Sequence, residues 1–247
     1  MNLPPIPPSP AVFLDFDGTL VDFADAPDAV TVDPDLVDLL TRLRSRTHGA
    51  LAVVTGRRLE EIDRFLSPLV LPAAGLHGIE RRARANASIL ELPQSSQIHR
   101  LRDRLETSSL LGGGINLEDK GNGLAIHYRL APQAEAEVKA AMRAAISDLD
   151  ELHLVEGKMV VEAKRADVNK GLAIAAFMDV PPFADRIPVF LGDDVTDEDG
   201  FRVVAKLGGV AVKVGDGPSV APYRLDDRRQ VLEWLDLMTR TETSRIP

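Results

Sequence analysis

The sequence predicts an α/β protein with a core on a parallel sheet and an inserted α+β unit that carries an antiparallel sheet. Three observations lead there. Short apolar runs alternate with helix-period segments over the first third of the chain, the pattern of strand-helix-strand units in a parallel sheet. The same alternation resumes after about residue 166. Between the two stretches the pattern changes to strand pairs with turn signals and two helices, which fits an antiparallel sheet with helices on one face. The expected division is 1–78 with 166–247 for the core and 79–165 for the insertion. With 247 residues, 45% of them hydrophobic, the chain can bury a sizeable core in this arrangement.

The elements follow in order. The first ten residues hold five Pro and no basic residue, so they read as an extended arm and do not resemble a signal peptide. The apolar run Ala11-Val12-Phe13-Leu14 is a buried strand. Leu36, Val37, Leu39, Leu40 and Leu43 stand at helical spacing over 34–46, with Asp33 and Pro34 as a start and Gly49 as a stop. A strand at 51–54, a helix at 59–66 and a strand at 70–74 come next. In the insertion, helices are expected at 97–107 and 133–149. Strands are expected at 115–120, 124–130, 152–155 and 159–163. Asn122-Gly123 and Gly157-Lys158 are read as their hairpin turns. Gly112-Gly113-Gly114 is a loop, because no strand-Gly-helix context makes it a nucleotide fingerprint. The core then continues with a helix at 171–178, a strand at 187–191, a helix at 198–207, a strand at 210–214 and a helix at 231–238. Trp234 is a packing residue of that last helix. Residues 239–247 form a polar tail.

Chemistry gathers at the strand ends. Asp15-Phe16-Asp17-Gly18-Thr19 follows the first strand. Two carboxylates there are costly unless a cation or substrate compensates them, and Gly18 permits a tight turn close to a ligand. In an open α/β sheet, ligands bind outside the carboxyl ends of the strands. The pair suits a magnesium ion, or a carboxylate nucleophile with a second carboxylate moving protons; a plain Asp-capped turn gives the same letters. Thr55-Gly56-Arg57 ends the second strand and reads either as a phosphate turn or as a capped strand-to-helix turn. Lys170 stands at a helix start, where the dipole does not favour an ammonium, so an anionic neighbour or simple surface exposure explains it. Five carboxylates fall in the seven residues Asp193-Asp194-Val195-Thr196-Asp197-Glu198-Asp199, either a solvated helix start or the rest of a cation site.

Period-two alternation divides the inserted sheet. One face collects Ile115, Leu117, Leu124, Ile126, Tyr128, Leu152, Leu154, Met159 and Val161 for packing on the two helices. The other collects Asn116, Glu118, Lys120, His127, Arg129, His153, Glu162 and Lys164. That face reads as a solvated surface, or as a lid whose carboxylates and ammonium groups hydrogen-bond hydroxyls. His77 and Glu80, near the junction, are hinge or substrate residues, or a turn His with a solvated Glu. His48 and His99 are surface residues, and Arg81, Arg82 and Arg84 a solvated strand or loop.

Composition limits the partners. A net charge of −9 disfavours nucleic acid and anionic membranes. The absence of Cys removes disulfides and thiolate metal sites, and no apolar run is long enough to span a membrane. A cytoplasmic monomer is expected.

The strand-end segments, in this order, resemble the haloacid dehalogenase (HAD-like) superfamily of phosphohydrolases: DxDGT, a strand-end Thr, a downstream Lys and GDDxxD. A closer likeness lies in Leu76-His77-Gly78-Ile79-Glu80, in Leu117-Glu118-Asp119-Lys120-Gly121 with His127-Tyr128-Arg129, in Gly157-Lys158-Met159-Val160-Val161-Glu162, and in 188–201. These are similar to the trehalose-phosphate phosphatases. The resemblance implies a Rossmann-like core with a substrate lid, and a magnesium-dependent phosphatase acting on trehalose 6-phosphate. It implies Asp15 as nucleophile, Asp17 as acid and base, and Thr55 and Lys170 on the phosphoryl oxygens. Magnesium would be held by Asp15, the backbone carbonyl of Asp17, and Asp193, with Asp194 and Asp197 orienting Lys170 or the metal waters. Glu118, Lys120 and Glu162 would contact the sugar, and Gly56, Arg57, His77, His127, Arg129 and Lys158 would complete the substrate site. Two other readings stay open: a phosphatase for another sugar phosphate such as sucrose 6-phosphate, and a catalytically idle sugar-phosphate sensor.

Overall fold

The computed structural model describes residues 3–22, 30–93, 95–121 and 123–240. The chain divides into a core unit, residues 1–91 and 169–247, and an inserted unit, residues 92–168.

The core unit is built on an eight-stranded sheet. Its strands are β1 (Pro10–Leu14), β2 (Leu51–Val54), β3 (Ala73–Gly75), β4 (Glu80–Arg82), β5 (Leu90–Glu91), β10 (Ile187–Gly192), β11 (Val210–Val214) and β12 (Tyr223–Leu225), the intervening labels falling in the inserted unit. The order is β12-β11-β10-β1-β2-β3-β4-β5. All neighbours from β12 to β3 are parallel, while β4 and β5 add an antiparallel edge. From β1 the chain moves outward through β2 and β3, then returns to the other side of β1 with β10 and moves outward again. The β1/β10 crevice is therefore the topological switch point, where ligands bind in such sheets.

Alternating side chains give the sheet two apolar faces. Val12, Leu14, Leu51, Val53, Val189, Leu191, Val210 and Val212 meet Leu36, Leu39, Leu40 and Leu43 of helix α1 (Pro34–Arg46), Ile62 and Leu66 of α2 (Leu59–Leu66), and Val231, Trp234, Leu235 and Met238 of α7 (Arg228–Arg240). On the other face Ala11, Ala52, Ala74 and Ala211 leave room for rings. Phe13, Phe177 and Phe183 cluster there with centroids 5.0–5.8 Å apart, and Phe190 meets Phe201 at 5.3 Å. Phe177 comes from α5 (Lys170–Met178) and Phe201 from α6 (Glu198–Lys206). Asp33 caps α1 by accepting the Asp35 N–H, and Asn169 caps α5 by accepting the Leu172 N–H. The Trp234 indole N–H donates to the Pro4 carbonyl at 2.9 Å, which fastens the N-terminal arm to α7.

The inserted unit carries a four-stranded antiparallel sheet in the order β6-β7-β9-β8, from β6 (Asn116–Asp119), β7 (Gly123–His127), β8 (Leu152–Gly157) and β9 (Val160–Arg165). The apolar face assigned from sequence is the buried one. Leu124, Ile126, Tyr128, Leu152 and Val161 share a core with Ile98, Leu101 and Leu105 of α3 (Ser96–Glu106) and Val138 and Met142 of α4 (Glu135–Ala145).

Several expectations shift. The core unit extends to Glu91, past the boundary expected after residue 78, because β4 pairs with β3 and β5 with β4. The return falls after Val168, three residues beyond the expected 165, where Asn169 caps α5. β3 begins at Ala73, later than expected, and β12 has no counterpart in the periodicity reading. Helix α4 is shorter than 133–149, since 132–134 is a 3₁₀ turn and the helix ends at Ala145. The β8/β9 turn is centred on Lys158 and Met159, with Gly157 paired to Val160 and Met159 at φ 61°. In the β6/β7 turn the left-handed residue is Gly121, while Gly123 lies in the strand; Asn122 and the tail 241–247 lie outside the described residues. Arg82 is not solvated: it is buried, bidentate to Asp63 at 2.6 and 2.7 Å, and donates to the Leu71 carbonyl.

Candidate active site

The site grows from the ends of β1 and β10. The Asp15 N–H donates to the Leu191 carbonyl at 2.9 Å, so Asp15 continues the β1 ladder. Phe16 is fully buried and stacks on Phe65, which sets Asp15 and Asp17 apart on either side of it. Gly18 has φ +75°, and a Cβ there would collide with the Asp193 carboxylate. Only glycine lets the β1 loop approach the β10 loop this closely. The buried Thr19 hydroxyl points at Asp193 Oδ1 from 3.5 Å.

A buried ion triad lies at the centre. Lys170 Nζ stands 2.8 Å from Asp15 Oδ1 and 2.7 Å from Asp197 Oδ1. The helix position that was puzzling for a Lys is thus answered by two carboxylates. Burial opposes the ammonium, but Asp15 and Asp197 together outweigh it and push its pKa up to about 12. Asp197 is fully buried, and its Oδ2 accepts the N–H groups of Asp193 at 3.0 Å and Asp194 at 2.9 Å. Burial raises the Asp15 carboxyl well above the usual range, with Lys170 partly opposing this and Asp197 adding to it.

Asp15, Asp193 and Asp197 offer carboxylate oxygens within 4.8 Å of one another. Burial first, then the Asp197 charge, push the Asp193 pKa up to about 6. Like charges gathered this closely repel one another, and a cation among them offsets that repulsion. These hard oxygen donors fit a hard divalent cation. Both Asp197 oxygens are engaged by Lys170 and the two N–H groups, so Asp15 and Asp193 are the carboxylates left to hold it.

Asp17 faces a different partner. Arg57 Nε donates to its Oδ2 at 2.7 Å and Nη2 to its Oδ1 at 2.8 Å, and these bonds raise the guanidinium pKa further. Glu61 lies 3.3 Å from Nη1 of the same Arg57, whose guanidinium sits over the Phe16 and Phe65 rings. Thr55 is buried at the end of β2, and its hydroxyl accepts the Arg57 N–H at 3.2 Å. A Cβ on Gly56 would meet the His77 ring, which places that ring against the Thr55-Gly56-Arg57 turn. Glu80 is not a solvated acid: it is buried and accepts the Leu59 N–H at 2.7 Å, holding the start of α2 behind the same turn.

Asp194 is exposed and caps the 3₁₀ turn at 195–197, where it accepts the Val195 N–H at 2.6 Å; Asp197 is the residue that reaches Lys170. Sequence reasoning gave Thr19 no role of its own, although it lies in the DxDGT segment, and missed the capping role of Glu80, the Arg57–Asp17 pair and Lys213. The signal for Lys213 was present, since it is a lone charge inside the apolar run Val210–Val214.

In the inserted unit, strand register sets Glu118, Ala125 and Glu162 in one row across β6, β7 and β9. The small Ala125 between the two acids is fully buried. Lys120 Nζ lies 3.4 Å from Glu162 and 3.9 Å from Glu118, Lys164 lies 3.3 Å from Glu162, and His127 Nε2 lies 2.7 Å from Glu118. The three sequence-derived sugar contacts Glu118, Lys120 and Glu162 thus form one cluster with His127, while Arg129 and Lys158 stand exposed at the strand end and in the β8/β9 turn.

Residues 13–229 match the trehalose-phosphatase family. The chain is 44% identical over 206 residues to a probable trehalose-phosphate phosphatase of Sinorhizobium fredii, covering 83% of this chain and 77% of that one. It is 41% identical over 230 residues to the trehalose-6-phosphate phosphatase of Escherichia coli, covering 93% and 86%. The structure is similar to the trehalose-6-phosphate phosphatase of Aspergillus fumigatus, with a TM-score of 0.79 at 21% identity over 94% of this chain and 93% of that one, a likeness of fold. Because the matched span runs from within β1 to the first turn of α7 and takes in every strand-end motif, the chain belongs to the trehalose-phosphatase family.

Proposed function

We propose that the protein hydrolyses trehalose 6-phosphate to trehalose and inorganic phosphate through an aspartyl-phosphate on Asp15. The observation that carries this reading is the buried Lys170 held between Asp15 and Asp197 at the switch point of the sheet, in a member of this family. Lys170 occupies Asp15 Oδ1, which leaves Oδ2 to attack phosphorus while the bond from phosphorus to the sugar oxygen breaks. Asp17 gives its proton to the departing sugar oxygen, then takes one from the water that attacks the aspartyl-phosphate and frees phosphate. To reach that oxygen Asp17 must leave Arg57, and Glu61 is the carboxylate placed to retain the guanidinium. Thr55 and Lys170 hold phosphoryl oxygens as charge moves. Asp15, the Asp17 carbonyl and Asp193 would hold magnesium, whose charge offsets the repulsion between carboxylate and phosphate dianion. Asp197 fixes Lys170 and the Asp193 backbone. Gly56, Arg57 and His77 line the phosphate turn. Glu118, Lys120, His127, Arg129, Lys158 and Glu162 supply groups that pair with sugar hydroxyls.

No helix among the described residues is long and apolar enough to cross a membrane. The reading includes a cytoplasmic monomer, which sedimentation and fractionation check. The deciding experiment measures phosphate release across a panel of sugar phosphates, including trehalose 6-phosphate and sucrose 6-phosphate, with magnesium and again in excess chelator. Trehalose 6-phosphate should give the highest kcat/KM, chelator should stop turnover and magnesium should restore it. Preference for another sugar phosphate would reassign the substrate. Undiminished turnover after confirmed metal removal would refute the metal site.

A further inference from the structure

Lys213 takes no part in the chemistry above, yet it is a buried ammonium, 6% exposed, at the carboxyl end of β11. Burying a charge is unfavourable unless its hydrogen bonds are met, so its partners say what it is for. Lys213 pairs in register with Gly192, the last residue of β10. Its Nζ donates to the Val214 carbonyl at 2.8 Å and to the backbone carbonyl of Asp193. The N–H of Asp193 meanwhile donates to Asp197 Oδ2 at 3.0 Å. The backbone of Asp193 is therefore gripped from both ends, by an anion at its N–H and a cation at its carbonyl. This grip matters because the Asp193 carboxylate lies so close to Gly18 that a methyl group cannot pass between them, and a loose loop could not hold that approach.

We infer that Lys213 is a positioning residue for the cation site: by holding the Asp193 carbonyl it fixes the Asp193 carboxylate beside Asp15 and thereby sets the affinity for the divalent cation. The inference rests on the metal-dependent reading above. It makes a prediction of opposite sign to simple electrostatics. Removing a positive charge near a cation site strengthens cation binding by Coulomb's law. Removing a group that orients a ligand weakens it, commonly by ten-fold or more.

The test measures magnesium binding by isothermal titration calorimetry for the parent, Lys213→Met and Lys213→Gln. Lys213→Met keeps the stem and loses the donor, so its Kd should rise about ten-fold. Lys213→Gln keeps a donor on a shorter chain, so its Kd should rise less. The magnesium concentration that half-saturates turnover of a small aryl phosphate should rise in step with the Kd. Circular dichroism confirms folding, and if Lys213→Met does not fold, Lys213→Gln carries the test. Binding as tight as the parent or tighter in the folded variants overturns the inference. A parent that neither binds magnesium nor needs it would instead overturn the metal-dependent reading itself.

Discussion

Asp197→Asn changes one group in a site where Asp197 has no exposed surface. The carboxylate serves two clients: Oδ1 takes the Lys170 ammonium at 2.7 Å, and Oδ2 takes the N–H groups of Asp193 and Asp194 at 3.0 and 2.9 Å. An amide has one acceptor oxygen. If that oxygen keeps the two N–H groups, the amide NH2 faces the ammonium and the ion pair is lost. If the amide turns over, two buried N–H groups face donors. Removing one partner of a buried ion pair costs about 3–5 kcal/mol when the other charge is left alone. Lys170 retains Asp15 at 2.8 Å, so the lower end, about 3 kcal/mol, applies here. In the size range of the core unit each kcal/mol moves Tm by about 2–4 °C. The transition of that unit should therefore fall by roughly 6–12 °C in differential scanning calorimetry, which separates it from any transition of the inserted unit. Turnover should fall by about ten-fold or more, as Lys170 is no longer held toward the phosphoryl group. A Tm within 2 °C of the parent together with unchanged kcat would refute the claim that Asp197 holds the centre.

Three further outcomes are expected. Asp15→Asn should stay folded by circular dichroism, since Lys170 keeps Asp197, and should lose steady-state turnover; activity near the parent value would sink the covalent mechanism. Substituting Ala for Glu118, Lys120 or Glu162 should lower kcat/KM for trehalose 6-phosphate by about 1–3 kcal/mol each and leave a small aryl phosphate nearly untouched; equal losses on both substrates would make these residues structural. The Arg165 guanidinium, bonded to both oxygens of Asp167 at 2.7 and 2.9 Å, holds that carboxyl below its ordinary range. A lowered pKa in the folded state contributes stability that is complete above the ordinary carboxylate pKa of about 4 and is lost as pH falls through the lowered value. The Tm gap between the parent and Asp167→Asn should thus be steady near neutral pH and close below about pH 4 in thermal melts; a gap independent of pH would count against the pair.

Elements whose physics is local could be read straight from the residues. Helix α1, strand β2, helix α2 and strand β11 fall at their expected residues, because apolar period, caps and turn residues act within a few positions. Asp15, Thr55, Lys170 and Asp193 were legible for the same reason: each follows directly on a strand or opens a helix, and charge or hydroxyl at such a place stands out against apolar runs. The two faces of the inserted sheet were legible from alternation alone. Tertiary structure decided everything that depends on which strands become neighbours. Pairing of β4 onto β3 and of β5 onto β4 drew both into the core sheet, although nothing in these short segments marks them as its edge. Asp15 and Lys170, 155 positions apart in the chain, have no local signal for their meeting; the switch point brings them together. Glu80 and Arg82 look solvated in sequence and are buried in the fold, because long-range partners at Leu59, Asp63 and Leu71 meet their charge and donors. Arg57 shows the same limit, for its place beside Thr55 suggested a phosphate ligand while the fold set it on both oxygens of Asp17. Local patterning names the groups that can do chemistry; burial and register choose their partners, and partners set their charge.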